Sequence, residues 1–246
     1  MSDVPKGSPI LRFDAALSKK ELEKIRDNVS AIVLDTDHLW LGGDEGTSIH
    51  RMTRDASGNF CSHTSFDLMG MLKLPGPAKE EIDVEGLDVD GGYLWLIGSH
   101  SAKRKKAEDD KATAENLQRL SKIELDGNRF TLARVPLDAT ATPVQKHGGL
   151  TAARLEGDAR ANLLTDALQK DHHVGRFVPR VLQNNVIEGI SSKDNGFDVE
   201  GLAVSADRVF LGLRGPVLRG WAIVIELIQL ATDFQLVGMS TRPMLA

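Results

Sequence analysis

Cysteine is almost missing from this chain: Cys61 is the only one in 246 residues. A lone thiol excludes an intrachain disulfide and any multi-cysteine metal cage, which leaves Cys61 to be read as a small, partly buried side chain. An excess of positive charge is missing too. Thirty Lys and Arg stand against 35 Asp and Glu, a net charge of -5, so the basic face that nucleic-acid binding needs is not expected. There is no long hydrophobic run. The longest apolar stretch, Ala222 to Leu230, is interrupted by Glu226 and Gln229 and falls far short of the ~20 residues that span a bilayer, so no membrane partner is expected. Met1 to Pro9 is polar and no apolar signal core follows it, which makes the cytoplasm the expected location. Also absent are a dinucleotide fingerprint, a Walker loop, a zinc-protease motif, an EF-hand loop and a Gly-x-Ser-x-Gly elbow.

What the chain does contain is a near-repeat. Asp83-Val84-Glu85-Gly86-Leu87-Asp88-Val89 recurs as Asp198-Val199-Glu200-Gly201-Leu202-Ala203-Val204, and Leu94-Trp95-Leu96 is matched by Val209-Phe210-Leu211. A weaker copy comes first, Ser30-Ala31-Ile32-Val33-Leu34 leading to Leu39-Trp40-Leu41. Each copy reads as a β-hairpin, with turns at Asp35-Thr36-Asp37-His38, Asp90-Gly91-Gly92 and Ser205-Ala206-Asp207-Arg208. The copies begin 55 and then 115 positions apart, so a degenerate copy or an insertion separates the second from the third.

Helical spacing of Leu155, Ala159, Leu163, Leu164, Ala167 and Leu168 favours an insertion with helices, placed around residues 140–180 of a single domain spanning 1–246. A shorter helix is predicted over Glu108 to Leu120, and Ser18 with Glu21 forms a capping-box pattern opening a helix to about Asp27. Further strands are predicted over Gln118 to Leu125 and Phe130 to Val135. Hairpin repeats of this kind predict an all-β fold with helical insertions, β-propeller-like, in an incomplete ring of three to four blades. Only sixteen residues follow Ala222 to Leu230, so that apolar strand is expected at a sheet edge, where self-association could complete the sheet in trans.

The segments Lys193 to Ala203 and Gly212 to Ala222, with Asp44-Glu45-Gly46, Glu81 to Leu87 and Leu94 to Ser101, resemble an uncharacterised bacterial family, domain-of-unknown-function family 3616. The resemblance covers roughly Ser30 to Ala222. It implies a propeller-like fold distantly similar to the esterase-like phytases, and it implies no established reaction. Members are expected to continue beyond the arginine-rich motif, so the chain looks shortened at its C-terminus.

Hairpin geometry locates the candidate chemistry. Counting back from each turn places Asp83 and Glu85 opposite Gly98 to His100, Asp198 and Glu200 beside Arg214, and Ser30 near Gly43 with Asp44 and Glu45 just beyond. If the copies surround one axis, these ends form a rim holding the six acids with Ser99, His100, Arg214 and Arg219. Asp44, Glu45, Asp83, Glu85, Asp198 and Glu200 are candidate ligands for a hard cation such as calcium. Arg214, Arg219, Ser99 and His100 are candidates for holding a small anionic molecule. Two functions fit: an anion-binding protein without an assigned reaction, and a metal-dependent phosphoester hydrolase. The structural alternative is that Asp-x-Glu-Gly ties one blade to the next, with Arg214 neutralising Glu200. Ser99 and His100 are adjacent, so on a strand they would point to opposite faces and make no nucleophile-base pair. His172-His173 lacks a metal-ligand pattern and reads as a surface pair after a helix. Lys103-Arg104-Lys105-Lys106, followed by Glu108-Asp109-Asp110, reads as a self-compensating loop, or as an attractor of anions if it overhangs the rim.

Overall fold

The computed structural model describes residues 7–230 and 236–245, with side chains from Gly7 to Leu227. The first six residues, part of the polar start on which the location was argued, lie outside the described residues. The architecture is mostly β. Sheet I contains Val29–Asp35, His38–Gly43, Ser48–Arg54 and Phe60–Asp67. Sheet II contains Val84–Asp90, Tyr93–Gly98, Leu132–Pro136 and Ala153–Arg154, and sheet III contains Asp198–Ser205, Arg208–Leu218, Trp221–Leu230 and Leu236–Leu245. In each sheet the strands follow one another in chain order and every pairing is antiparallel.

The three repeat copies are the first two strands of the three sheets, and their hairpins form where the sequence places them. Gly91 and Gly92 supply φ values of 61° and 79°, the pair of left-handed conformations that a tight two-residue hairpin turn requires. All three first strands also share a β-bulge. The register slips between Val29 and Ala31, between Val84 and Gly86, and between Val199 and Gly201, so Ser30, Glu85 and Glu200 are the extra residues.

Sheet II lies between the other two. Tyr93–Gly98 is buried along its whole length, as expected of an apolar run covered on both faces. Leu94 and Leu96 pack with Trp40, Ile49 and Val84 toward sheet I, whereas Trp95 and Ile97 pack with Phe197, Val199 and Leu211 toward sheet III. Each large side chain withdrawn from water in these two layers contributes about 1.5–3 kcal/mol. Backbone ties cross the layers as well: Ser30 Oγ donates to Val84 O at 2.5 Å, and Val204 N donates to Asp88 Oδ2 at 2.6 Å. On the far side of sheet I, Leu39, Leu41, Met52 and Phe60 meet Phe13 from the N-terminal segment, which also pairs Leu11 with Phe60.

The insertions depart from expectation. The predicted helix beginning at Leu155 forms only over Leu163–Leu168. Leu155 instead donates from its backbone to Leu132 O at 2.8 Å, and Asn162 caps the short helix reciprocally with Thr165. Its Leu164 and Leu168 enter the layer between sheets II and III. The helix predicted from Glu108 starts later, at Thr113–Ser121, and the strand predicted from Gln118 shrinks to Ile123–Glu124 because that helix occupies its first residues. The capping box at Ser18 opens the helix Lys19–Asp27 as predicted. The sheet-edge expectation is corrected: Trp221–Leu230 is an inner strand of sheet III, paired along its length with Leu236–Leu245.

The motif glycines differ in a testable way. A Cβ on Gly86 would lie 2.5 Å from Leu202 Cβ and 2.7 Å from Leu202 N, whereas one on Gly201 would meet nothing nearer than 3.9 Å. Gly86→Ala should therefore cost about 1–3 kcal/mol and lower Tm by about 3–10 °C. Gly201→Ala should leave Tm within ~2 °C of the wild type. Equal melting temperatures for the two variants would refute the close approach of sheets II and III.

Candidate functional site

The bulged ends of the first strands open on one cavity of about 460 Å³, lined by residues from all three sheets and both insertions. Local geometry explains why acids gather there. Asp83 adopts φ 58°, a left-handed conformation that Asp tolerates better than most residues, and the bulge at Glu85 then breaks strict alternation. Carboxylate oxygens of Asp83 and Glu85, together with one from Asp44 of sheet I, come within 4.8 Å of one another. Asp198 joins them from sheet III.

Two guanidinium groups answer part of this charge. Arg214 contacts Asp198 and reaches Glu200 at 2.7 Å, the arrangement counted from the hairpin. Arg129 reaches Asp83 at 2.6 Å and Glu81 at 3.6 Å, and it donates to Ser101 Oγ at 3.0 Å. Nothing in the repeat pointed to Arg129: it sits in the turn Gly127–Phe130 between the second and third strands of sheet II. Asp44 and Glu85 have no ion pair among the described residues, and Glu45 pairs outward with Lys24 at 3.3 Å.

The opposite wall is basic. Lys103, Arg104 and Lys106 reach it from the insertion after Tyr93–Gly98, and Lys193 reaches it from the turn Ser192–Asp194. The basic run therefore borders the cavity, and most of its charge is met by acids outside Glu108-Asp109-Asp110, Lys105 pairing with Glu124 at 3.4 Å. Lys103 is held by Asp126, and Arg104 by Asp194 at 2.8 Å. Lys106 and Lys193 have no acidic partner among the described residues. Ser191, 1% exposed, also lines the cavity, and its hydroxyl has no hydrogen-bond partner among the described residues.

Three predicted site residues are elsewhere. Ser99 and His100 are fully buried beneath the cavity and do not line it. Ser99 Oγ lies 3.0 Å from Ser101 Oγ, while the His100 ring spans Gly98 O at 2.8 Å and the Asn162 side-chain amide at 2.9 Å. Burial lowers the His100 pKa to about 4, so the imidazole stays neutral at physiological pH. The hairpin count placed them correctly along the strand, but the chain turns inward at His100, where φ is 52°. Arg219 occupies the turn between Arg208–Leu218 and Trp221–Leu230 and lines a different cleft. Arg219 was grouped with Arg214 at the rim, but the strand runs on to Leu218 and Arg219 lies in the turn beyond it.

Residues 28–240 match the family described as Protein of unknown function (DUF3616). The chain belongs to this family. No curated protein matches it.

The electrostatics of the site in this DUF3616 member set it apart from an ordinary salt-bridge cluster. Burial, then the charges of Asp83, Glu200, Asp44 and Asp198, push the Glu85 pKa up to about 8. Burial pushes Asp198 up to about 7 in spite of Arg214, whose side chain is 54% exposed and screened by water. Asp83 is raised as well, by burial against the pull of Arg129. The cluster thus carries more carboxylate than its own cations can hold ionised near neutrality.

A pH dependence follows. Folded Glu85 keeps its proton to about pH 8, against 4.5 for the free side chain, so across that window the folded state binds more protons and stability falls as pH rises. Glu85→Gln should flatten the fall and raise Tm at the alkaline end by about 3–6 °C, or ~1–2 kcal/mol after solvent screening. Superimposable Tm–pH profiles for wild type and variant would show that Glu85 is not held in the crowded site.

Proposed function

We propose that this protein binds a small anionic molecule at the junction of its three sheets, with a divalent cation such as calcium joining the anion to the acids. The sheets are read as blades of an incomplete β-propeller whose first strands face the channel. The observation that carries the reading is the trio of Asp44, Asp83 and Glu85, with donor oxygens within 4.8 Å of one another and, for Asp44 and Glu85, no direct ion pair among the described residues. Hard cations take six to eight oxygen ligands, so three carboxylates would leave positions for oxygens of the anion. Lys106, Lys193 and the unpartnered Ser191 hydroxyl stand in the same cavity, suited to the anion's remaining oxygens.

The raised pKa of Glu85 makes the cation reading testable. A group that holds a proton near pH 8 in the cluster must release it to ligate a metal. Calcium binding near neutral pH should therefore expel about one proton per ion, measurable by calorimetry in buffers of different ionisation enthalpy. Millimolar calcium should raise Tm by ~2–5 °C, and Asp44→Asn, at an exposed position, should abolish the shift without lowering the metal-free Tm. Absence of any calcium-dependent shift or heat would refute the cation-bridged reading.

One observation favours a second reading, metal-assisted phosphoester hydrolysis of the kind the esterase-like phytases suggest. Asp198, outside the ligand trio and with its pKa raised to about 7, holds a transferable proton at the pH where hydrolysis would run. That version requires calcium-dependent turnover of p-nitrophenyl phosphate, lost in Asp198→Asn while calcium still binds. Binding without turnover leaves the non-catalytic function in place.

A further inference from the structure

A second cleft, of about 620 Å³, lies on sheet III away from the acidic cavity. Its walls are the turn joining Arg208–Leu218 to Trp221–Leu230 and the segment after the short helix Leu163–Leu168. His172, His173, Arg176 and Arg219 line it, and among the described residues no Asp or Glu does. Four basic or potentially basic side chains thus face one space without compensation. Both ends of the arrangement are fixed. Asn195 clamps Val217, accepting from its backbone N at 2.7 Å, and the Arg176 guanidinium lies 4.9 Å from the Phe177 ring centre. Arg219, at φ 55°, and Gly220, at φ 79°, are the two central residues of the tight hairpin turn closed by Leu218 and Trp221, which fixes where the Arg219 side chain leaves the backbone.

The rest of the cleft is apolar and exposed. Trp221 is 39% exposed and Val217 55%, and both line the space with Leu218. An open indole beside arginines suits a ligand with a flat face to stack and a negative group to bind. Inorganic anions would leave the Trp221 wall unused, and neutral rings would leave the guanidinium groups unanswered. We propose that this cleft binds a small molecule in which a planar ring carries an anionic group, phosphate or carboxylate. It is a site separate from the acidic cavity and does not depend on the function proposed there.

Trp221 provides the readout, because Trp40 and Trp95 are 0% and 5% exposed and will respond little to a surface ligand. AMP and phenyl phosphate should quench its fluorescence saturably, and each should bind at least ~10-fold more tightly than inorganic phosphate or adenosine, which lack the ring or the charge. Arg176→Ala and Arg219→Ala should each weaken binding by about 5-fold or more, with unchanged melting curves because both side chains are exposed. The proposal is overturned if neither probe binds better than phosphate and adenosine, or if the arginine variants bind as the wild type does. An equal loss in Lys106→Ala would place the ligand in the acidic cavity and overturn it as well.

Discussion

Close approach of backbone to backbone at the head of each sheet is the constraint from which the remaining features follow. Gly86 of sheet II lies against Leu202 of sheet III, and Gly42 of sheet I lies where a Cβ would come within 2.6 Å of Val84. Side chains at these points would hold the sheets apart. With them removed, the three bulged strand ends share one space, and the acids that flank the bulges become neighbours although they are far apart in the chain. The packed layers on either side of Tyr93–Gly98 make that approach permanent, because separating the sheets would expose two continuous apolar faces.

Crowding of like charge is the other consequence. Arg129 and Arg214 satisfy the acids closest to them, yet burial and mutual repulsion keep Glu85 and Asp198 partly protonated near neutrality. A cluster that served only to hold sheets together would be more stable with amides or with a third arginine in it. The structural reading of Asp-x-Glu-Gly nevertheless holds for part of the motif. Its glycine at 86 is a packing residue, and its valines at 84 and 199 belong to the core. Thus one short motif supplies packing residues and cavity acids at alternate positions.

The sequence made the repeat, the hairpins, their turns and the partnership of Arg214 with Asp198 and Glu200 legible, because period-two patterning and fixed spacing determine what stands opposite what. It could not show the bulges, which depend on packing between sheets, and it therefore missed that the first copy shares one at Ser30. Ser99 and His100 were assigned to the rim because counting along a strand cannot reveal a left-handed turn just past its end. Arg129 was invisible for a different reason: its partners are 46 to 48 residues upstream or lie across a turn, and no local pattern encodes that distance. The helix around Leu155 failed because leucines spaced for a helix face also suit a loop that returns repeatedly to one apolar layer.

Apart from Arg214, which stands on the third hairpin itself, the acids and bases of the cavity have separate origins. The carboxylates come from the repeated hairpins, whereas Lys103, Arg104, Lys106, Arg129 and Lys193 all come from segments inserted between or within the sheets. The scaffold can thus keep its negative half constant while the inserted loops change length and composition. Relatives that preserve the hairpins but replace the loops would keep the acidic half of the cavity and change its basic half, so the charge pattern of the cavity can diverge without any change to the framework.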